Sequence, residues 1–182
     1  TTTVKATFKT DSGTIYTDSM TVTVKEADST QKIVPIKSWG TFNRLTQDND
    51  IKLEDGVYRL TEDQMKGIKK VSLESYDAKI SKDDMSGLDQ AVNCEEFMAG
   101  YNGFDYTQIR SLVEGYTKLK SLSLQGVYIN QDEFNALLAS NKNLEELQIY
   151  FYTDEDDQVE DFSKLKELTN LKVLELNSSG LK

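Results

Sequence analysis

Histidine is absent from the 182 residues. That removes the base of a Ser-His-Asp or Cys-His arrangement and the commonest zinc ligand. The single cysteine, Cys94, excludes an internal disulfide framework. No apolar run reaches the roughly 18 residues that a membrane-spanning helix needs, so no membrane insertion is expected. Basic residues are also few. Against 31 Asp and Glu stand 21 Lys and Arg, a net charge of -10. Such a surface repels phosphate backbones and anionic lipid, which sets nucleic acid and membrane aside as partners. No Gly-rich phosphate loop and no catalytic pair of carboxylates at a defined spacing is present. The acidic stretches 47–56 and 153–161 lack EF-hand spacing and read as a turn and a solvated loop. Together these absences point away from an enzyme and imply neither cofactor nor metal.

What is present is a repeat. Apolar residues in the order L-x-x-L-x-L recur at Ile68, Val71 and Leu73, then at Cys94, Phe97 and Ala99. They continue at Leu119, Leu122 and Leu124, at Leu144, Leu147 and Ile149, and at Leu171, Leu174 and Leu176. The starts at 68, 94, 119, 144 and 171 give steps of 26, 25, 25 and 27 residues. With 37% of the chain apolar, chance agreement at all these positions is on the order of one in a few million. Between them a second pattern recurs at helical spacing: Met85, Leu88 and Ala91; Ile109, Leu112 and Tyr116; Phe134, Leu137 and Asn141; Phe162, Leu165 and Leu168. Each unit therefore predicts a short strand, a turn, and a helix or 3₁₀ segment. Cys94 takes a core position and reads as structural rather than reactive.

The motif resembles the leucine-rich repeat over roughly residues 63–182. The stretches DMSGLDQAVNCEEFMAGYNGF (84–104) and DFSKLKELTNLKVLEL (161–176) are similar to bacterial surface proteins typified by internalins. The fold class so implied is α/β, a leucine-rich-repeat solenoid of about five repeats with parallel strands on its concave face. The repeat's inward Asn is kept only at Asn102; Tyr76, Val127, Tyr152 and Ser179 hold the other places. Irregular turns are expected in consequence. The eleventh place holds Phe104, Ile129 and Leu181, and fails at Asp154 and at Ala78, for which Ile80 substitutes.

The N-terminal part differs. Val4, Ala6 and Phe8 alternate, as do Met20, Val22 and Val24, around the turn signal TDSGT. Residues 1–28 read as a β-hairpin or the tail of an immunoglobulin-like β-domain. Residues 29–62 read as a linker and N-terminal cap, the covering elements falling within 34–66, with IVPIKSW and GVYRL as short strands and Trp39, Phe42 and Leu45 as the lid. The repeats carry nearly all the net charge: residues 63–182 hold 13 basic and 22 acidic side chains. The last leucines predict an apolar layer at the C-terminal edge, covered by further repeats or by a neighbour.

Strand positions facing away from the leucines form the candidate binding surface. They include Met98, Tyr101, Gln125, Gln148, Tyr150, Phe151 and Glu175. The exposed aromatics among them suit binding anchors, while packing of Tyr150 and Phe151 on a neighbouring turn is the alternative. The resemblance implies a non-catalytic protein-protein binding module at the surface of a bacterium or secreted from it, in adhesion or host interaction, with a protein ligand. A carbohydrate-binding or accessory module of an extracellular enzyme, taking a glycan, and a structural spacer are the alternatives.

Overall fold

The computed structural model describes residues 2–9, 12, 15–22, 31–53, 58–74, 80–152 and 159–178, and the chain divides into two compact units, Thr1–Lys32 and Ile33–Lys182. In the first, β1 (Thr2–Lys9) and β2 (Ile15–Val22) pair antiparallel, with Val4 opposite Met20 and Phe8 opposite Tyr16. Their β-branched and aromatic residues favour the extended chain.

The second unit is mixed α/β around a parallel sheet. It opens with β3 (Ile33–Val34), which pairs antiparallel with β4 (Leu60–Thr61). Between them lies α1 (Trp39–Asp48), whose N-cap Ser38 accepts a hydrogen bond from the Thr41 N–H at 3.4 Å. Phe42 and Leu45 are buried on one face of α1, whereas Trp39 is 62% exposed. Trp39 therefore does not join the lid. It stands at the first residue of the helix and stacks on Phe42 with ring centroids 5.5 Å apart. The next helix, α2 (Glu62–Gly67), starts with a reciprocal cap between Thr61 and Gln64.

Five strands follow, β5 (Lys70–Glu74), β6 (Glu96–Asp105), β7 (Ser121–Tyr128), β8 (Glu146–Phe151) and β9 (Val173–Ser178). They pair in chain order and all parallel. A parallel pair needs a crossover of about a dozen residues or more, and the repeat supplies it. α3 (Tyr106–Gly115) follows β6 and α4 (Gln131–Ser140) follows β7. The 3₁₀ turns Leu88–Gln90 and Ser163–Glu167 serve the other two crossovers.

Pairing sets the repeat positions side by side. Val71, Phe97, Leu122, Leu147 and Leu174 form one row, and Leu73, Ala99, Leu124, Ile149 and Leu176 the next. Through Ile149 these side chains are at most 4% exposed and share a core with Leu88, Ile109, Leu112, Phe134 and Leu137. Burying a side chain of this size stabilises the fold by about 1.5–3 kcal/mol before its ordering entropy is subtracted. In the last repeat Leu174 is 45% exposed, and Leu171 and Leu176 are half-buried, β9 being the last of the described strands. Of the eleventh-place residues, Phe104 and Ile129 are buried, as is Ile80; Ala78, Asp154 and Leu181 lie outside the described residues.

The first edge of the sheet is finished by a side chain. In each parallel pair one carbonyl accepts two successive N–H groups of the next strand: that of Lys69 from Glu95 and Glu96, and that of Glu95 from Lys120 and Ser121. Among the described residues no strand ahead of β5 supplies such a carbonyl. There Asn49, at the C-cap of α1, presents Oδ1 to the N–H groups of Lys69 at 2.8 Å and Lys70 at 3.0 Å. Its Nδ2 donates to the carbonyls of Lys70 at 2.9 Å and Leu45 at 3.0 Å. The amide plane of Asn49 thus replaces a strand backbone. This residue falls in the 47–56 stretch read above as a turn. Its first two residues close α1, Asn49 and Asp50 turn, and residues 54–57 lie outside the described part.

Candidate functional site

Side chains that alternate with the buried rows line the open face of the sheet. Ser72, Met98, Ser123, Gln148 and Glu175 form one row across the strands. Gly100, Gln125, Tyr150 and Asn177 form the row beside it. Met98, Gln125, Gln148 and Tyr150 are half-buried and Glu175 is exposed, so five of the sequence-predicted positions meet on one surface. Tyr101 lies in β6, its side chain outside the described part of the structure. Phe151 is a correction. It is 4% exposed and meets Phe134 and Phe162 edge-on at 6.0 and 6.4 Å between ring centroids.

The cause is the unbroken alternation of β8, which puts Phe151 on the face of Leu147 and Ile149, while the strands before it slip in register. Between Gln125 and Val127 of β7 one residue, Gly126, is extruded, so Val127 rather than Gly126 lies beside Phe151. A larger irregularity separates Gly100 from Phe104 in β6 and brings Phe104 beside Val127. Phe104, Val127 and Phe151 thereby align, all buried. Counting from the leucines places Phe151 one residue out of phase, since β8 has no bulge at that point.

Both irregularities use glycine in the left-handed region, Gly103 at φ 66° and Gly126 at φ 79°. The absent side chains leave room for the ring of Tyr152. A Cβ on Gly126 would stand 2.8 Å from Tyr152 Cε2, and one on Gly103 would stand 3.2 Å from Tyr152 Cδ2. Tyr128 flanks this ring at 5.5 Å and Tyr150 meets it edge-on at 5.9 Å. Three tyrosines therefore gather at the C-terminal ends of β7 and β8.

Beside them opens a cleft of ≈ 400 Å³. Tyr128 and Tyr152 wall it, and Asp105, Asn130 and Glu133 bring carboxylate and amide groups from the starts of α3 and α4. Glu133 is fixed by a capping box: its Oε2 accepts from the Asn130 N–H at 3.0 Å, while Asn130 Oδ1 accepts from the Glu133 N–H at 2.9 Å. The repeat count placed Tyr152 at an inward position and did not single out Tyr128, Asp105 or Glu133. The signal for them was the pair of strand-breaking glycines, Gly103 and Gly126.

The border of the open face carries an alternating charge ladder. Lys69, Glu95, Lys120, Glu145 and Lys172 precede the five strands in turn. Glu95 takes Lys69 and Lys120 at 2.6 Å each, and Glu145 takes Lys172 at 2.5 Å. The two lysines hold the Glu95 carboxyl down at about 2, by hydrogen bonds and then by charge. Lys172 likewise lowers Glu145. Cys94, by contrast, is fully buried, and burial pushes its thiol up to about 12, so it is no nucleophile near neutral pH. Among the described residues no helix is long and apolar enough to cross a membrane, and no group of three or more acidic or cysteine side chains is placed to hold a metal ion.

No family profile matches the chain, and no curated protein does. Among solved structures it is similar to internalin C2 from Listeria monocytogenes, at 21% identity over 84% of this chain and 72% of that one, with a TM-score of 0.49.

Proposed function

We propose that residues 63–182 form a leucine-rich-repeat solenoid of five repeats serving as a non-catalytic protein-binding module of a bacterial cell-surface or secreted protein. Residues 29–62 supply linker and cap, and residues 1–28 a β-hairpin or the tail of an immunoglobulin-like β-domain. The setting is adhesion or host interaction, and the open sheet face is the binding surface. One observation carries the reading: four neighbouring parallel strands, β6 to β9, present Met98, Gln125, Gln148, Tyr150 and Glu175 on one surface, with the tyrosine cluster at its end. Rigid elements that hold aromatic and amide side chains together form an anchor region for a partner. The test is a photo-crosslinker at Gln148 presented to a host-cell surface preparation. It is expected to capture one protein, and a Met98→Ala, Tyr150→Ala, Glu175→Ala variant is expected to lose it. Capture at the helix-side position Ser111 instead, or no capture at all, overturns the reading.

A second reading, recognition of a glycan, draws on the rings of Tyr128 and Tyr152 as a stacking surface. A glycan array that reports binding with no protein captured selects it over the first.

A further inference from the structure

We infer that the cleft beside Tyr152 is a recognition pocket for a basic side chain, an arginine or lysine of the protein partner. The inference deepens the protein-binding reading and rests on it. Three observations converge. Two tyrosine rings wall the cleft, and their faces are electron-rich. Two carboxylates, Asp105 and Glu133, line it, and among the described residues none that lines it is basic. Its shape is set beforehand: Tyr152 is seated on Gly103 and Gly126, and Glu133 is locked by its capping box. A guanidinium or ammonium group here meets ring faces and carboxylates at once, at little ordering cost to the pocket. A sugar would use the rings and donate only neutral hydrogen bonds to the carboxylates, whereas a cation also uses their charge. The long-range field agrees, because residues 63–182 carry 22 acidic against 13 basic side chains.

The capping geometry makes a clean test. Asn caps a helix as well as Asp does, and Gln serves as well as Glu in a capping box. An Asp105→Asn, Glu133→Gln variant therefore removes both charges while keeping both caps. The probe is the peptide acetyl-Gly-Arg-Gly-amide, titrated into the whole chain by NMR, with the citrulline peptide as its neutral counterpart. Saturable shifts are expected at Tyr128, Asn130 and Tyr152. The citrulline peptide and the double variant should each bind roughly tenfold more weakly, as loss of charge-assisted contacts at a partly exposed site implies. Equal binding of the citrulline peptide, unchanged binding by the double variant, or shifts at these residues with oligosaccharides and none with the arginine peptide each overturn the inference. The crosslinking test keeps the two readings apart. A partner captured through Gln148 but held equally well by the double variant sinks the pocket and leaves the binding surface standing.

Discussion

Replacing Asn49 by alanine removes both the acceptor that receives Lys69 and Lys70 and the donor that reaches Leu45 and Lys70. Net hydrogen bonds of this kind contribute about 0.5–1.5 kcal/mol each, and one of the four is exposed while three are only part-buried, so Asn49→Ala should cost about 2 kcal/mol. Urea denaturation gives the number, and faster amide exchange at Lys69 and Lys70 locates the loss at the first strand. Gly126 makes a second prediction. Its φ of 79° disfavours any side chain, and a methyl group would meet the Tyr152 ring at 2.8 Å. Gly126→Ala should destabilise by about 1–3 kcal/mol and shift the ring resonances of Tyr128 and Tyr152 as the cluster loosens. An unchanged spectrum would show that the glycines do not seat the ring. Both residues escaped a reading based on leucine spacing, because each acts through backbone groups rather than through burial. Phe151 escaped it in another way: the motif count assumes a break after Ile149, whereas β8 keeps its plain alternation, so Leu147, Ile149 and Phe151 share the buried face.

Elements were easier to read. Strands recurring every 25 to 27 residues with helical segments between them follow from period alone, and each strand of the parallel sheet holds the last two residues of its apolar triplet. What period could not show is how the charges at the strand entries pair, since Lys69, Glu95 and Lys120 alternate only once the strands lie side by side. The pairing predicts a pH dependence. The Glu95 carboxyl titrates at about 2 in the folded chain against a usual 4.5. Folding therefore binds fewer protons at this group, so its contribution is complete above pH 4.5 and fades as pH falls toward 2. Carbon-detected NMR titration of Glu95 should give the low value. A Lys69→Gln, Lys120→Gln variant should return it toward 4.5 and remove that part of the acid sensitivity. Added salt should weaken the effect in the parent chain, because the pairs are partly exposed to solvent.

For the whole molecule, the first end of the sheet is closed by α1 and by the side-chain amide of Asn49. The charge ladder has a further consequence for how such a chain can be lengthened or shortened. Because the sign at the strand entry alternates, excising the unit that carries Glu95 would bring Lys69 against Lys120, whereas excising that unit and the next would bring Lys69 against Glu145. Duplication and deletion in this sheet should therefore be tolerated two units at a time, which makes the strand pair, and not the single repeat, the quantum in which the chain can change its length.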